Sequence, residues 1–166
     1  MSPHTVVFDH ATMQRKLRRI AHQLHEEHHL EKDLVLVGVV PRGHLLAERL
    51  ASLLGGISGQ HIELVRMELD KDDPQPRTTT LSVDHDTLKE RVVVLVDDVL
   101  MSGRTLMHAA AHLVQVPLKR LTTVVLVDRR HRAFPIRADI VGLTLSTTVQ
   151  DHISVELGKE DRVYLV

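Results

Sequence analysis

Arg91-Val92-Val93-Val94-Leu95-Val96-Asp97-Asp98-Val99-Leu100-Met101-Ser102-Gly103-Arg104-Thr105 is the stretch whose reading decides the fold. Its run of valines around Leu95 reads as a strand buried on both faces, the kind found inside a parallel sheet. Two carboxylates stand at its carboxyl end. Ser102, Gly103 and Thr105 make a small-residue loop, and the spacing of Leu106, Ala109, Ala110, Leu113 and Val114 carries the chain into a helix. In open α/β sheets ligands bind beyond the carboxyl ends of the strands, and the free N–H groups of a helix's first turn favour an anion. Backbone donors from Met101 to Thr105 can cradle a phosphate, with Gly103 permitting close approach. Two adjacent acids would repel a bare polyanion, so Asp97 and Asp98 point to a ligand that also carries hydroxyls, or to a divalent cation arriving with it. An Asp-Asp strand also resembles a Walker B strand, but no G-x-x-x-x-G-K-[ST] loop accompanies it.

Working outward, residues 34–40 form a second buried strand, followed by Pro41, Arg42 and Gly43 and by a helix through Leu45, Leu46, Leu50, Leu53 and Leu54. This repeats the strand, tight loop and helix of the first motif. The planar fork of Arg42 suits pyrophosphate oxygens. Residues 121–127 are a third core strand ending in Asp128-Arg129-Arg130-His131-Arg132, which delivers charge to the same sheet edge. Residues 55–59 (Gly-Gly-Ile-Ser-Gly) read as a turn. Residues 62–69 read as a strand, and residues 70–77, polar and broken by prolines, as a mobile loop bearing Lys71 and Arg77, with a return strand over 78–83. Residues 12–29 give an amphipathic helix with Asp9 as its cap; Arg15, Lys16, Arg18, Arg19 and His22 make its other faces basic. Residues 140–144 are a further strand, and 153–157 with 162–166 a terminal hairpin.

Composition limits the function classes. A chain of 166 residues with 43% hydrophobic content is expected to be one domain with a real core. A net charge of −1 provides no global basic field for nucleic acid, so RNA binding would need a local patch. Without cysteine there is neither thiol catalysis nor a cysteine-based zinc site, which suits a reducing compartment. No signal-peptide pattern opens the sequence and no apolar run approaches ~18 residues, so the expected location is the cytoplasm, with no membrane partner. His25-Glu26-Glu27-His28-His29 satisfies H-E-x-x-H, the pattern of zinc proteases. In a chain with 13 histidines and no apparent third ligand, it reads as a chance match.

Residues 94–105 resemble the phosphoribosyl-pyrophosphate (PRPP) signature of the type I phosphoribosyltransferases. Ile20-Ala21-His22, Pro41-Arg42-Gly43, Leu126-Val127-Asp128-Arg129 and Pro135-Ile136-Arg137-Ala138-Asp139 are similar to the PyrR family, which combines pyrimidine-operon attenuation with uracil phosphoribosyltransferase activity. The resemblance implies an α/β fold of the type I phosphoribosyltransferases, a mostly parallel twisted sheet flanked by helices with a small hood from the chain ends. It implies transfer of phosphoribose from PRPP to a nucleobase, uracil giving UMP, with substrate-bound Mg²⁺ and no metal held by the protein alone. Asp97 and Asp98 are the expected catalytic acids. Met101, Ser102, Gly103, Arg104 and Thr105, with Pro41, Arg42 and Gly43, are the expected PRPP-binding residues. Asp128, Arg129, Ile140 and Val141 are expected on the base or pyrophosphate side, with Ile140 where a tyrosine is usual. The 70–77 loop is expected to close over the reacting centre. Arg18, Arg19 and His22 form the implied RNA face, and a homo-oligomer, dimer or larger, is implied. A transferase for another base, or a nucleotide-sensing RNA-binding regulator, are the alternatives.

Overall fold

The computed structural model describes residues 4–166. Its main sheet contains β2 (Asp33–Val39), β3 (His61–Glu68), β4 (Thr80–Leu81), β5 (Val92–Leu100), β6 (Arg120–Asp128) and β7 (Ile140–Thr144), in the order β4-β3-β2-β5-β6-β7. All neighbours are parallel except the short β4, which runs antiparallel to β3. Parallel neighbours need crossovers; α2 joins β2 to β3 and α3 joins β5 to β6, while residues 129–139 carry the chain from β6 to β7 without a helix. The second layer is α1 (His10–His28) and α2 (Arg42–Ile57) on one face and α3 (Arg104–Leu113) on the other. Alternation along β5 serves both: Val92, Val94 and Val96 join the core under α1 and α2, while Val93 and Leu95 join the core under α3. A second, antiparallel sheet, β1-β9-β8, unites β1 (Thr5–Phe8) with the terminal hairpin of β8 (Ile153–Glu156) and β9 (Arg162–Leu165). This is the expected hood, built from both ends of the chain.

Local signals explain most boundaries. Asp9 caps α1, its Oδ1 accepting from the Thr12 N–H at 2.8 Å. Gly103 opens α3 in the left-handed region with φ 85°, and an added Cβ would stand 2.7 Å from Ile136 Cγ2. The strand that carries the acids runs through Asp97 and Asp98 to Leu100, because β6 keeps pairing with it as far as Asp128. Two expectations are corrected. Residues Gly55, Gly56 and Ile57 are helical rather than a turn, since Leu53, Leu54 and Ile57 continue the apolar stripe that packs on the core. The return strand shrinks to β4, because a 3₁₀ turn at Pro76–Thr78 takes up the preceding chain.

Candidate active site

The chain leaves β2 to one side of the sheet and β5 to the other, so these adjacent strands form the topological switch point at which open α/β sheets bind ligands. The sequence-predicted residues converge there. Asp97 and Asp98 are 2% and 4% exposed at the carboxyl end of β5. Asp97 curls back so that its Oδ1 accepts the Asp98 N–H at 2.9 Å. From the α2 side, Arg42 Nε donates to Asp98 Oδ2 at 2.9 Å. The approach depends on Gly43, where a Cβ would lie 2.7 Å from the Val96 carbonyl oxygen and 3.0 Å from Asp97 Cα. Val40 and Pro41, joined by a cis peptide, turn the chain from β2 into α2.

From the far side of β3 comes Lys71, whose Nζ lies 3.2 Å from Asp97 Oδ1 and 3.6 Å from Asp98 Oδ1. The 70–77 segment therefore reaches the acid pair through Lys71, whereas Arg77 is exposed and makes no hydrogen bond among the described residues. The two acids share this counter-charge unequally. Burial and the neighbouring Asp98 carboxylate push Asp97 up to about 7. Burial pushes Asp98 up as well, but Lys71 and Arg42 outweigh it and hold Asp98 below its ordinary value. One acid is thus firmly ionised and the other is poised near neutrality.

Beside the pair, Asp97, Val99, Leu100, Met101, Ser102, Gly103 and Thr105 line a cavity of about 180 Å³. The N–H groups of Thr105 and Leu106, in the first turn of α3, have no helical partner, while Ser102 Oγ accepts from the Arg104 N–H at 3.2 Å. Arg132 fixes the loop from behind, donating to the Met101 carbonyl and to Asp128 Oδ1, each at 2.8 Å. An anion-binding loop and the Asp97 carboxylate on one small cavity, with Asp98 next to it in β5, can hold a phosphate at one end of a molecule and hydroxyls at the other.

The remaining candidates divide. Asp128 and Val141 line a second cavity of about 330 Å³ with Arg130, Arg132, Arg137, Ala138 and Thr144. Ile140 does not join them: it is 1% exposed in the core under α1 and α2, because alternation along β7 sends it to the face opposite Val141. Its side chain offers no surface to a base; what the resemblance implies there is backbone near Ile140 and Val141 on the base edge. Arg129 is also buried, 3% exposed, and its guanidinium is taken up by the protein. Arg18 and His22 are exposed on α1. Arg19, beside them, donates to the carbonyls of Val141 and Gly142 at 2.8 and 2.9 Å and to Gln23.

The H-E-x-x-H pattern, whose two histidines are His25 and His29, closes α1. His28, one of the residues between them, is buried against Thr122 Oγ1 at 3.2 Å, and burial pushes its pKa down. The ring of His29 meets the Glu26 carbonyl at 2.9 Å. Among the described residues no three His, Asp or Glu side chains converge as metal ligands, and no described helix is long and apolar enough to cross a membrane.

Two residues escaped the sequence reading. Arg132 appeared there only as part of a basic loop. Asp161, read as a hairpin turn, is fully buried: its carboxylate accepts from Gln14 Nε2 at 2.8 Å, from the Gly158 N–H at 3.1 Å and from Arg49, while its own N–H donates to His10 Nδ1 at 3.0 Å. It pins the hood to α1 and α2. An acid in a glycine-containing turn gave no local sign of this.

Comparison with known proteins agrees with this geometry. Residues 5–159 match the family described as phosphoribosyl transferase domain. The chain is 37% identical to the bifunctional protein PyrR of Alkaliphilus metalliredigens, covering 99% of this chain and 96% of that one. It is 38% identical to the PyrR of Clostridium acetobutylicum, covering 95% and 94%. Among solved structures, the hypoxanthine phosphoribosyltransferase of Trypanosoma cruzi superposes with a TM-score of 0.75 at 16% identity, covering 90% of this chain and 84% of that one. That of Staphylococcus aureus superposes at 0.72 and 19%, covering 87% and 79%. At such identities the two structures establish likeness of fold.

Proposed function

This chain belongs to the PyrR family of phosphoribosyltransferases, and from that premise we propose that it transfers the phosphoribosyl group of PRPP to uracil, releasing pyrophosphate and giving UMP. The observation that carries the reading is Asp97 and the Met101–Thr105 loop on one cavity at the switch point, with Asp98 beside Asp97 in β5. The 5-phosphate sits on the Thr105 and Leu106 N–H groups and the hydroxyls of Ser102 and Thr105. Asp97 and Asp98 face the ribose hydroxyls and stabilise the positive charge that builds on the ring as the glycosidic bond breaks. Positioning and charge stabilisation do the work, with no protein nucleophile. Arg42, at the start of α2, faces the pyrophosphate. Asp128 and Val141, on the adjoining cavity, are the base-side residues.

Mg²⁺ entering with PRPP suits this site, since Asp97 and Asp98 are hard oxygen donors; when bound it neutralises leaving-group charge. In the free protein Lys71 provides the counter-charge. Anchored on the acid pair by Lys71, the 70–77 segment stands where closing over the reacting centre would exclude water. The working form is a homo-oligomer in the cytoplasm.

The test is PRPP-dependent pyrophosphate release with magnesium against uracil, hypoxanthine, guanine, xanthine, adenine and orotate. Release with uracil alone is expected; release with another base would reassign the acceptor, and none with any base would reject the transferase reading. A regulatory role on RNA is supported by exposed Arg18 and His22, one helical turn apart on α1. RNA affinity that falls steeply with salt and is lost in R18Q/H22A would support it.

A further inference from the structure

Arg129 presents an unusual arrangement for a buried cation. At 3% exposure, all its hydrogen bonds go to neutral acceptors. Nε donates to Thr147 Oγ1 at 3.0 Å, and Nη2 donates to the Thr148 carbonyl at 3.2 Å and to the Asp151 carbonyl. Nη1 meets Met101 Sδ at 2.8 Å, and a thioether is a weak acceptor. The Asp151 carboxylate turns away, accepting the N–H and hydroxyl of Thr148, each at 2.7 Å. The Arg129 N–H donates to the Leu100 carbonyl at 2.8 Å, which holds its backbone against the last residue of β5.

One side chain therefore touches Met101, at the head of the phosphate loop, and three residues of the 147–151 segment that leads into β8. The next turn reinforces the join, since the His131 ring meets the Thr147 carbonyl at 2.5 Å. Burying a guanidinium with no hydrogen-bonded carboxylate is unfavourable unless its donors are satisfied; the Asp151 carboxylate acts on it only through space, and the fork satisfies three donors on one segment. Lysine, a point donor on a flexible stem, would not span these acceptors.

We propose that Arg129 is a positioning residue. It ties the phosphate loop to the segment that carries the hood, so that the sugar-phosphate site and the base-covering hood keep a fixed separation. The effect on substrates rests on the transferase reading; the tie itself does not.

The experiment pairs R129K with T147V, which removes a single acceptor and leaves the His131 contact in place. Hydrogen exchange is measured on the ligand-free protein, and the KM values for base and PRPP are measured separately. In R129K the amides of 147–152 are expected to lose about tenfold in protection while α2 and β5 keep theirs. The KM for the base is expected to rise about tenfold, with that for PRPP within about threefold. T147V is expected to move the same quantities by a smaller factor. Unchanged exchange in both variants would overturn the tie. A rise in the PRPP KM equal to that for the base would overturn the positioning role and make Arg129 a direct phosphate ligand. If the wild type transfers to no base, the transferase reading falls alone and the exchange measurement still decides the tie.

Discussion

Replacing Asp161 with alanine tests how the hood is held. The carboxylate is fully buried and accepts from Gln14, Gly158 and Arg49. Its removal leaves three donors without their acceptor, one of them a guanidinium on a side chain 29% exposed. Breaking a buried ion pair by removing one partner costs about 3–5 kcal/mol, and the partial access of Arg49 to water favours about 3. For a domain of this size each kcal/mol lowers Tm by about 2–4 °C, so a fall of about 6–12 °C is expected. The sequence supplies a local probe: it has no tryptophan and one tyrosine, Tyr164, which lies in β9 of the hood. Urea unfolding followed by tyrosine fluorescence reports the hood, and far-ultraviolet circular dichroism reports the helices. In D161A the fluorescence transition is expected to move to lower urea and to precede the dichroism transition, as local opening of a weakened unit requires. A loss below about 1 kcal/mol, or two transitions that stay superimposed, would refute the assignment of Asp161 as the hood's anchor.

Three further outcomes follow from the site. D97N/D98N is expected to lower kcat/KM by at least about 10³ while leaving the dichroism spectrum unchanged; a folded double mutant with near-normal turnover would remove the acid pair from the mechanism. Because Asp97 is pushed up to about 7 by burial and by Asp98, the folded protein holds a proton that the unfolded chain releases near the ordinary carboxylate value. Stability from this group is therefore present in acid and lost as pH rises from about 4 to about 7, and K71M is expected to move the upper end of that window higher; a window unmoved in K71M would deny the contact its role. G43A is expected to drive α2 from β5, since the added carbon meets backbone at 2.7 Å with nothing flexible to yield, and to cost about 1–3 kcal/mol. A G43A protein with wild-type stability and PRPP affinity would show that the approach is not needed.

Much of the site was legible because it is local. Valines, acids, a small-residue loop and a helix start are consecutive along β5 and α3, and alternation and helix-end chemistry act over a few residues. The same holds for Pro41, Arg42 and Gly43. What was not legible depended on register or on distant partners. Ile140 and Val141 are neighbours in sequence, and only the pairing of Val124 with Ile140 and Val125 with Val141 decides which of them faces the core. Asp161 meets residues 147 and 112 positions away, so nothing near it in the chain announces its burial. At Gly55 and Gly56 the turn signal was real but small, about 1 kcal/mol per glycine. Burying an isoleucine or leucine on the same stripe contributes about 1.5–3 kcal/mol, and that decided the helix.

Strand β7 closes one end of the six-stranded sheet, and an open strand edge is a template on which another chain can add a strand and aggregate. The Arg19 guanidinium seated on the Val141 and Gly142 carbonyls occupies an acceptor that such an intruder would need, since one of two successive strand carbonyls faces the open edge. The residue thus shields that edge from strand addition. An R19A protein that stays folded is expected to scatter light on concentration, and any partner that draws Arg19 away from α1's flank bares a sticky margin for as long as it stays bound.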